Sequence, residues 1–247
     1  MNELSVIRSE LLDKFDQLRC AVSTRKGSLN GSSFGMNMSY NVGDQPTAVD
    51  ENRRRFFFAL NVPVDRLAIP GQCHSSHVVN VKTPGRIDAT DALVTDARNL
   101  WLAISVADCT PVFLADPVKG AVAAVHAGWR GSAESIAAKA VERMKAEFGT
   151  APEDLVAFIG PAAGVCCYEV GEDVAGRFAS NVSQIRNGKK YLDLKLENAR
   201  QLRDAGIPDH KIDISPLCTI CNHDLHSYRR DKDRSGRMMG VIGLVEN

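Results

Sequence analysis

Between residues 78 and 125 short apolar runs alternate with turn residues, a pattern that predicts strands. Val78-Val79-Asn80-Val81, Leu102 to Val106, Val112-Phe113-Leu114 and Ala121 to Val125 are these runs. Asp116-Pro117-Val118-Lys119-Gly120 carries turn chemistry between the last two. From 132 to 148 the period changes to that of a helix. Ile136, Ala140, Val141, Met144 and Phe148 recur on one face, Ser132 is read as the first cap, and Gly149 closes the segment. A second helix is predicted from Pro46 and Thr47 to about Leu60, with Thr47 as N-cap and Asp50 and Glu51 in its first turn. Two more fall near 172–179 and 193–205, the latter stopped by Gly206 and Pro208. Further strands are expected at 156–159 and 238–245, and residues 26–33 read as a surface loop. Strands and helices interleave without a seam, which predicts one α/β or α+β domain over residues 1–247.

Composition narrows the function classes. Lys plus Arg and Asp plus Glu each number 30, so the formal net charge is zero. A neutral chain has no long-range attraction to nucleic acid or to an anionic membrane, and neither is expected as a partner. No apolar run approaches a bilayer span, and Met1-Asn2-Glu3-Leu4-Ser5 lacks the basic-then-apolar order of an export signal. Seven cysteines are an odd number, and 247 residues need no disulfides to hold a core. Reduced thiols in the cytoplasm are the expectation.

Three segments place metal-binding side chains beside apolar strands: Gln72-Cys73-His74-Ser75-Ser76-His77, Ala107-Asp108-Cys109-Thr110-Pro111 and Val125-His126-Ala127-Gly128-Trp129-Arg130-Gly131. His and Cys thiolate together suit zinc or copper. Two His and one Cys leave a tetrahedral ion one ligand short, as catalytic sites require. Three unconnected core side chains remain the alternative at this level. His74 and His77 would face opposite ways in an extended segment, so His74 is the expected ligand and His77 a surface or hydrogen-bonding group. The glycines at 128 and 131 precede a helix, a setting in which backbone N–H groups can hold an anion.

The other cysteines and the arginines leave more open. Cys218, Cys221, His223 and His226 could form a second zinc site, although their spacing is tighter than that of zinc fingers. Arg229 and Arg230 could clamp a phosphate or carboxylate, or simply pair with Asp231 and Asp233. Cys167, in Cys166-Cys167-Tyr168-Glu169, could line the metal pocket or pack as an ordinary thiol.

Together these motifs resemble the laccase-domain family, also called the peptidoglycan editing factor or multicopper polyphenol oxidase family. The resemblance rests on Ala107 to Pro111, His126-Ala127-Gly128-Trp129-Arg130-Gly131, Gly160-Pro161-Ala162-Ala163-Gly164, Cys167-Tyr168-Glu169-Val170-Gly171, Cys218-Thr219 and Ser227-Tyr228-Arg229-Arg230-Asp231. Ser23-Thr24-Arg25, Val42-Gly43-Asp44 and Glu51-Asn52-Arg53 extend it over nearly the whole chain. It implies a laccase-domain fold of the cytotoxic-necrotizing-factor-like kind, with mixed sheets flanked by helices. It also implies a zinc held by His74, Cys109 and His126. The implied activities are phosphorolysis of adenosine, inosine, guanosine and methylthioadenosine, and adenosine deamination. Copper-dependent polyphenol oxidation and editing of peptidoglycan precursors are attached to the family as well. This chain departs from the pattern at Ser75-Ser76-His77 and at Leu225-His226, and its Cys221 and His223 are additional, all of which bears on pocket shape.

A zinc-dependent nucleoside enzyme is therefore the expected function, with nucleoside and phosphate as small-molecule partners. Asp108, with Glu169 as second choice, is the candidate proton shuttle. Arg229, Arg230 or the 128–131 turn would hold phosphate, and Cys167 is a further catalytic candidate. A multicopper oxidase needs more imidazoles than the six histidines present, though one copper could replace zinc in a Cys/His site. A non-catalytic protein with a structural ion would need a fourth ligand such as Cys167 or Cys73.

Overall fold

The apolar runs lack strict alternation because most of these strands are covered on both faces. A computed structural model describes residues 4–29 and 31–245. The N-terminal reading at Met1 to Glu3 and Asn30 of the predicted loop lie outside the described residues.

Two six-stranded sheets stack face to face. In spatial order the first holds Val6–Ile7, Leu18–Ser23, Met238–Leu244, Trp101–Val106, Leu67–Gly71 and Gly85–Asp88. The second holds Ile212–Ile214, Val156–Ile159, Thr110–Asp116, Ala121–Ala127, Ala92–Thr95 and Val78–Asn80. Val22, Leu102, Ile104 and Ile242 of the first sheet share a core with Leu93, Phe113, Val122 and Phe158 of the second. Gly240 makes this close stacking feasible, because a Cβ there would run into the Phe113 ring of the opposite sheet.

Helices close the outer faces. Ala21, Trp101, Ala103, Met239 and Val241 of the first sheet lie under Phe56 and Phe57 of helix Pro46–Ala59. Val94, Val112, Leu114, Ala123 and Val125 of the second lie under helices Ile136–Phe148 and Leu194–Asp204. The order of layers is helix, sheet, sheet, helix. A small antiparallel sheet of Glu169–Val170, Lys189–Leu192 and Ser183–Arg186 stands apart. Among the described residues no helix is long and apolar enough to cross a membrane.

Several expected boundaries move. The helix predicted over 132–148 is two helices, Trp129–Ala133 and Ile136–Phe148, separated by Ser135 in the left-handed conformation at φ 59°. Ser132 therefore lies inside the first helix rather than capping the second, and its carbonyl accepts from Gln201. Thr47 is not a cap: the fixed φ of Pro46 starts that helix behind Gln45, which makes no side-chain capping bond. The segment near 172–179 is helical only over Glu172–Ala175. Asp193 does cap Leu194–Asp204, accepting from the Leu196 N–H at 2.9 Å. Pro70 lies within a strand, where the missing N–H is tolerated because pairing with Trp101–Val106 ends at Ala68.

Candidate metal centre and adjoining cavity

Three connections carry the chain from the first sheet to the second: Gly71 to Val78, Asp88 to Ala92, and Val106 to Thr110. They hold His74, Asp91 and Cys109. The fourth contributor, His126, lies on the Ala121–Ala127 strand. The crossovers are tightly bent, with His74 at φ 61° and Asp108 at φ 86°, both left-handed. A nearly extended route for residues 73–77 is thus replaced by a turn. Both histidines are exposed, but His74 faces Cys109 and His126 whereas His77 has its Nδ1 3.1 Å from the Ala89 carbonyl.

The structure brings His74, Cys109 and His126 together, with their ligating atoms all within 4.8 Å of one another. Cys109 Sγ lies 3.9 Å from His74 Nε2, and the two imidazoles meet edge to face at 5.1 Å. Gly128 lies against this group, since a Cβ there would approach His74 Cδ2 at 3.0 Å and Cys109 Sγ at 3.1 Å. Gln72 fixes the first crossover to a strand edge: its amide donates to the Ser105 carbonyl and its carbonyl accepts the Ser105 N–H, both at 2.8 Å.

Asp91, which sequence reasoning missed, organises the centre. Its carboxylate is fully buried and takes His126 Nδ1 at 2.8 Å. The same carboxylate accepts the N–H groups of Cys73, His74 and Ser75 at 3.1, 3.0 and 2.7 Å, and the Ser75 hydroxyl at 2.8 Å. Burial would raise its pKa, but the bonds from His126 and Ser75 outweigh burial and hold it well below the carboxylate range. Occupation of Nδ1 leaves His126 Nε2 as the ligand atom, the usual carboxylate–histidine–metal arrangement.

Cys109 and His126 shift each other. Burial favours the neutral thiol, yet the His126 charge outweighs it and brings Cys109 down to about 6. Burial likewise disfavours the imidazolium, but the Cys109 thiolate and Asp91 raise His126 to about 9. Each charge of the pair favours the other, and a divalent ion can take the place of the proton between them. One thiolate and two imidazoles, one of them backed by a carboxylate, fit zinc or copper and leave a coordination position open.

The centre opens into a cavity of about 720 Å³. Its walls include Tyr40, Arg53, Arg86, Asp108, Tyr168, Tyr228, Arg229 and Arg237. Asp108 accepts Thr219 Oγ1 and the Arg229 N–H, each at 2.6 Å, and so anchors the C-terminal segment beside Cys109. Arg229 lies 5.0 Å above the Tyr168 ring, and Arg53 4.8 Å above Tyr40. Burial pushes the Tyr168 hydroxyl up to about 12 and draws the Arg237 guanidinium below its ordinary value.

Other sequence candidates lie elsewhere. Glu169 pairs with Lys189 at 3.0 Å and is absent from the cavity wall. Arg230 braces the C-terminal loop, donating to the carbonyls of Thr219, Ile220, Asn222 and Leu225 and pairing with Asp231. At the 128–131 turn the missing side chain of Gly131 serves a close backbone approach, because a Cβ there would lie 2.9 Å from the Ser75 carbonyl oxygen. Cys167 does not line the cavity. Its neighbour Tyr168 does, and the Cys167 sulfur joins Cys166, Cys218 and Cys221 instead. The suggested grouping of Cys218 and Cys221 with His223 and His226 is therefore replaced: His223 is exposed and His226 is buried outside that cluster. No local pattern signalled Asp91 or the arginines 86 and 237, and Arg53 stood out only within Glu51-Asn52-Arg53, with no sign that it would reach the cavity.

The comparisons with known proteins agree with this architecture. Residues 19–245 match the family described as multi-copper polyphenol oxidoreductase laccase. A purine nucleoside phosphorylase of Deinococcus radiodurans is 40% identical over 91% of this chain and 88% of its own length. One from Corynebacterium glutamicum is 37% identical over 92% and 94%. Among solved structures, YlmD from Geobacillus stearothermophilus superposes with a TM-score of 0.88 at 33% identity, covering 94% of this chain and 93% of that one. With a family match over nearly its whole length and relatives at this level of identity, the chain belongs to the multi-copper polyphenol oxidoreductase laccase family, the laccase-domain family that its motifs resemble.

Proposed function

We propose that this chain is a zinc-dependent purine nucleoside enzyme that phosphorolyses adenosine, inosine, guanosine and methylthioadenosine and deaminates adenosine. The observation that carries the reading is the joining of a Cys/His2 centre to a cavity walled by four arginines and three tyrosines. Guanidinium groups match phosphate geometry, and aromatic rings offer faces to a flat base. The purine nucleoside phosphorylase names of relatives from Deinococcus radiodurans and Corynebacterium glutamicum support the same reading. Seven free thiols support a cytoplasmic setting.

His74, Cys109 and His126 would hold the ion, which when bound supplies Lewis-acid activation of water or phosphate at neutral pH. Arg229, fixed through its N–H by Asp108, and Arg237 would hold phosphate against the ribose. In phosphorolysis a phosphate oxygen bonds to the ribose carbon, the glycosidic bond breaks, and its electron pair leaves with the purine, which gains a proton. Asp108 is the proton-transfer group in this reading. Its carboxylate keeps lone pairs beyond those given to Thr219 and Arg229.

Zinc-loaded protein is expected to release hypoxanthine from inosine only when phosphate is supplied, and to form inosine from adenosine without it. His126→Ala should abolish both. Unchanged production of inosine and hypoxanthine by that variant rejects a shared metal site. The family description favours a second reading, copper-dependent polyphenol oxidation, because copper outcompetes zinc at such donors. One copper per chain in protein purified without added copper, with robust oxygen uptake on phenols, would establish that reading instead. Turnover of a muramyl precursor in place of nucleosides would assign the centre to peptidoglycan editing.

A further inference from the structure

Four of the seven cysteines lie outside the centre just described and meet in a second place. Cys166 and Cys167 come from the turn after Gly164, and Cys218 and Cys221 from a Cys-Thr-Ile-Cys turn near the C-terminus. Their sulfurs all lie within 4.8 Å of one another. We propose that Cys166, Cys167, Cys218 and Cys221 form a closed tetrathiolate site for a thiophilic d10 cation, zinc in the cell, that fastens one wall of the cavity.

The spacing is that of a coordination shell rather than a disulfide. Zn–S bonds of about 2.3 Å place tetrahedral sulfurs about 3.8 Å apart. Cys166 Sγ and Cys221 Sγ are 3.9 Å apart. A disulfide would need about 2.05 Å. A two-residue gap between Cys218 and Cys221 is the ligand spacing common to structural zinc sites.

The surroundings of Cys218 suit a thiolate. The Gly164 N–H donates to Cys218 Sγ at 3.2 Å, the kind of outer bond that orients metal-bound sulfur. Gly164 also leaves the needed space, because a Cβ there would lie 3.3 Å from Cys166 Sγ and 3.4 Å from Cys218 Sγ. Two cations brace the backbone on either side. Lys195 Nζ donates to the carbonyls of Ser215 and Leu217 at 2.6 and 3.1 Å, and Arg186 to those of Val165 and Cys166 at 2.7 and 3.0 Å. Their positive charge offsets part of the net −2 that four thiolates and a divalent ion would carry. Cys218 is buried whereas Cys166 and Cys221 are exposed, so an ion can enter from solvent.

The consequence reaches the cavity through covalent and hydrogen-bonded neighbours. Tyr168, which follows Cys167, lines the cavity, and the Thr219 hydroxyl inside the Cys-Thr-Ile-Cys turn holds Asp108. An ion joining the two turns would fix both. Binding bonds the four sulfurs to zinc and releases their thiol protons to solvent.

The test is a metal count on zinc-saturated, desalted protein purified under reducing conditions. Wild type should hold one more zinc ion per chain than Cys218→Ser/Cys221→Ser and than Cys166→Ser/Cys167→Ser, two variants altered on opposite turns. Cobalt substitution in a His126→Ala background should still give the strong sulfur-to-cobalt absorption of a tetrathiolate, because that background lacks a ligand of the other centre. Zinc should also protect these four cysteines from alkylation, read by mass spectrometry. Equal zinc counts in wild type and both double variants, a Cys166–Cys221 disulfide in reduced preparations, or rapid alkylation of all four with zinc present would each overturn the site. A failed nucleoside assay would not, since none of these readouts uses turnover.

Discussion

Replacing Asp91 with Asn keeps the side-chain shape and removes one of its two acceptor oxygens, and the damage can be traced bond by bond. The retained oxygen can still face His126 Nδ1 and the His74 N–H, now at 2.8 and 3.0 Å. The new NH2 group then confronts the N–H groups of Cys73 and Ser75, donors facing a donor, where the carboxylate accepted at 3.1 and 2.7 Å. Two N–H donors left without an acceptor at about 1–3 kcal/mol each, reduced where water reaches Cys73, give a destabilisation of ~2–4 kcal/mol. Losing the charge behind His126 also weakens its hold on an ion by about 10–100-fold, the usual range for carboxylates behind a ligating imidazole. That range equals ~1.4–2.7 kcal/mol of binding free energy. The assay is competition with a chromogenic chelator, read for the ion that disappears in His126→Ala, together with urea unfolding of the ion-free protein. Saturating zinc should restore much of the lost turnover. A variant that binds zinc as tightly as wild type would refute the placement of Asp91 behind the ligand.

Three further outcomes are expected. Arg229→Ala should raise the KM for phosphate more than that for inosine and leave zinc content unchanged, measured by initial rates and metal analysis; an equal rise for both substrates would count against a phosphate role. Gly128→Ala should weaken zinc binding, because its Cβ would press on His74 Cδ2 and Cys109 Sγ from 3.0 and 3.1 Å, and chelator competition reads this directly. His226 is buried, and burial, reinforced by the nearby charges of Arg25 and Arg237, outweighs the opposing Met36 backbone bond and the Asp231 charge and lowers its imidazole to about 3. The unfolded chain takes up that proton near pH 6.5 while the folded chain stays neutral, so His226 costs stability as pH falls from about 6.5 toward 3, by up to ~1.4 kcal/mol per pH unit. Urea midpoints at pH 7 and pH 5 should therefore converge in His226→Gln relative to wild type.

The sequence made some of this architecture readable and hid the rest for physical reasons. Short apolar runs marked Trp101–Val106, Thr110–Asp116, Ala121–Ala127 and Val156–Ile159 because each is buried on both faces. Leu18–Ser23 and Ala92–Thr95 have the same environment but are interrupted by Arg19 and bounded by Thr90 and Asp91, so no apolar run stood out. Cys109 and His126 were conspicuous because soft ligands at strand ends are chemically distinctive. Asp91 was not, since an isolated Asp after Ala-Thr reads as an ordinary turn. Its role exists only once three crossovers converge. Gly128 and Gly131 were legible as a turn before a helix, but not that Gly128 packs against His74 and Cys109, a contact between segments far apart in the chain. Cys167 and Tyr168 show how little separates two destinations: adjacent positions face a thiol cluster and a cavity respectively.

The most direct measurement is a crystal structure of the zinc-loaded protein with anomalous data at the zinc edge. A peak is expected at about 2.0–2.1 Å from an imidazole nitrogen of His74 and from Nε2 of His126, and at about 2.3 Å from Cys109 Sγ, with a further coordination position facing the cavity. Zinc-saturated crystals with no anomalous density between those three side chains would contradict it.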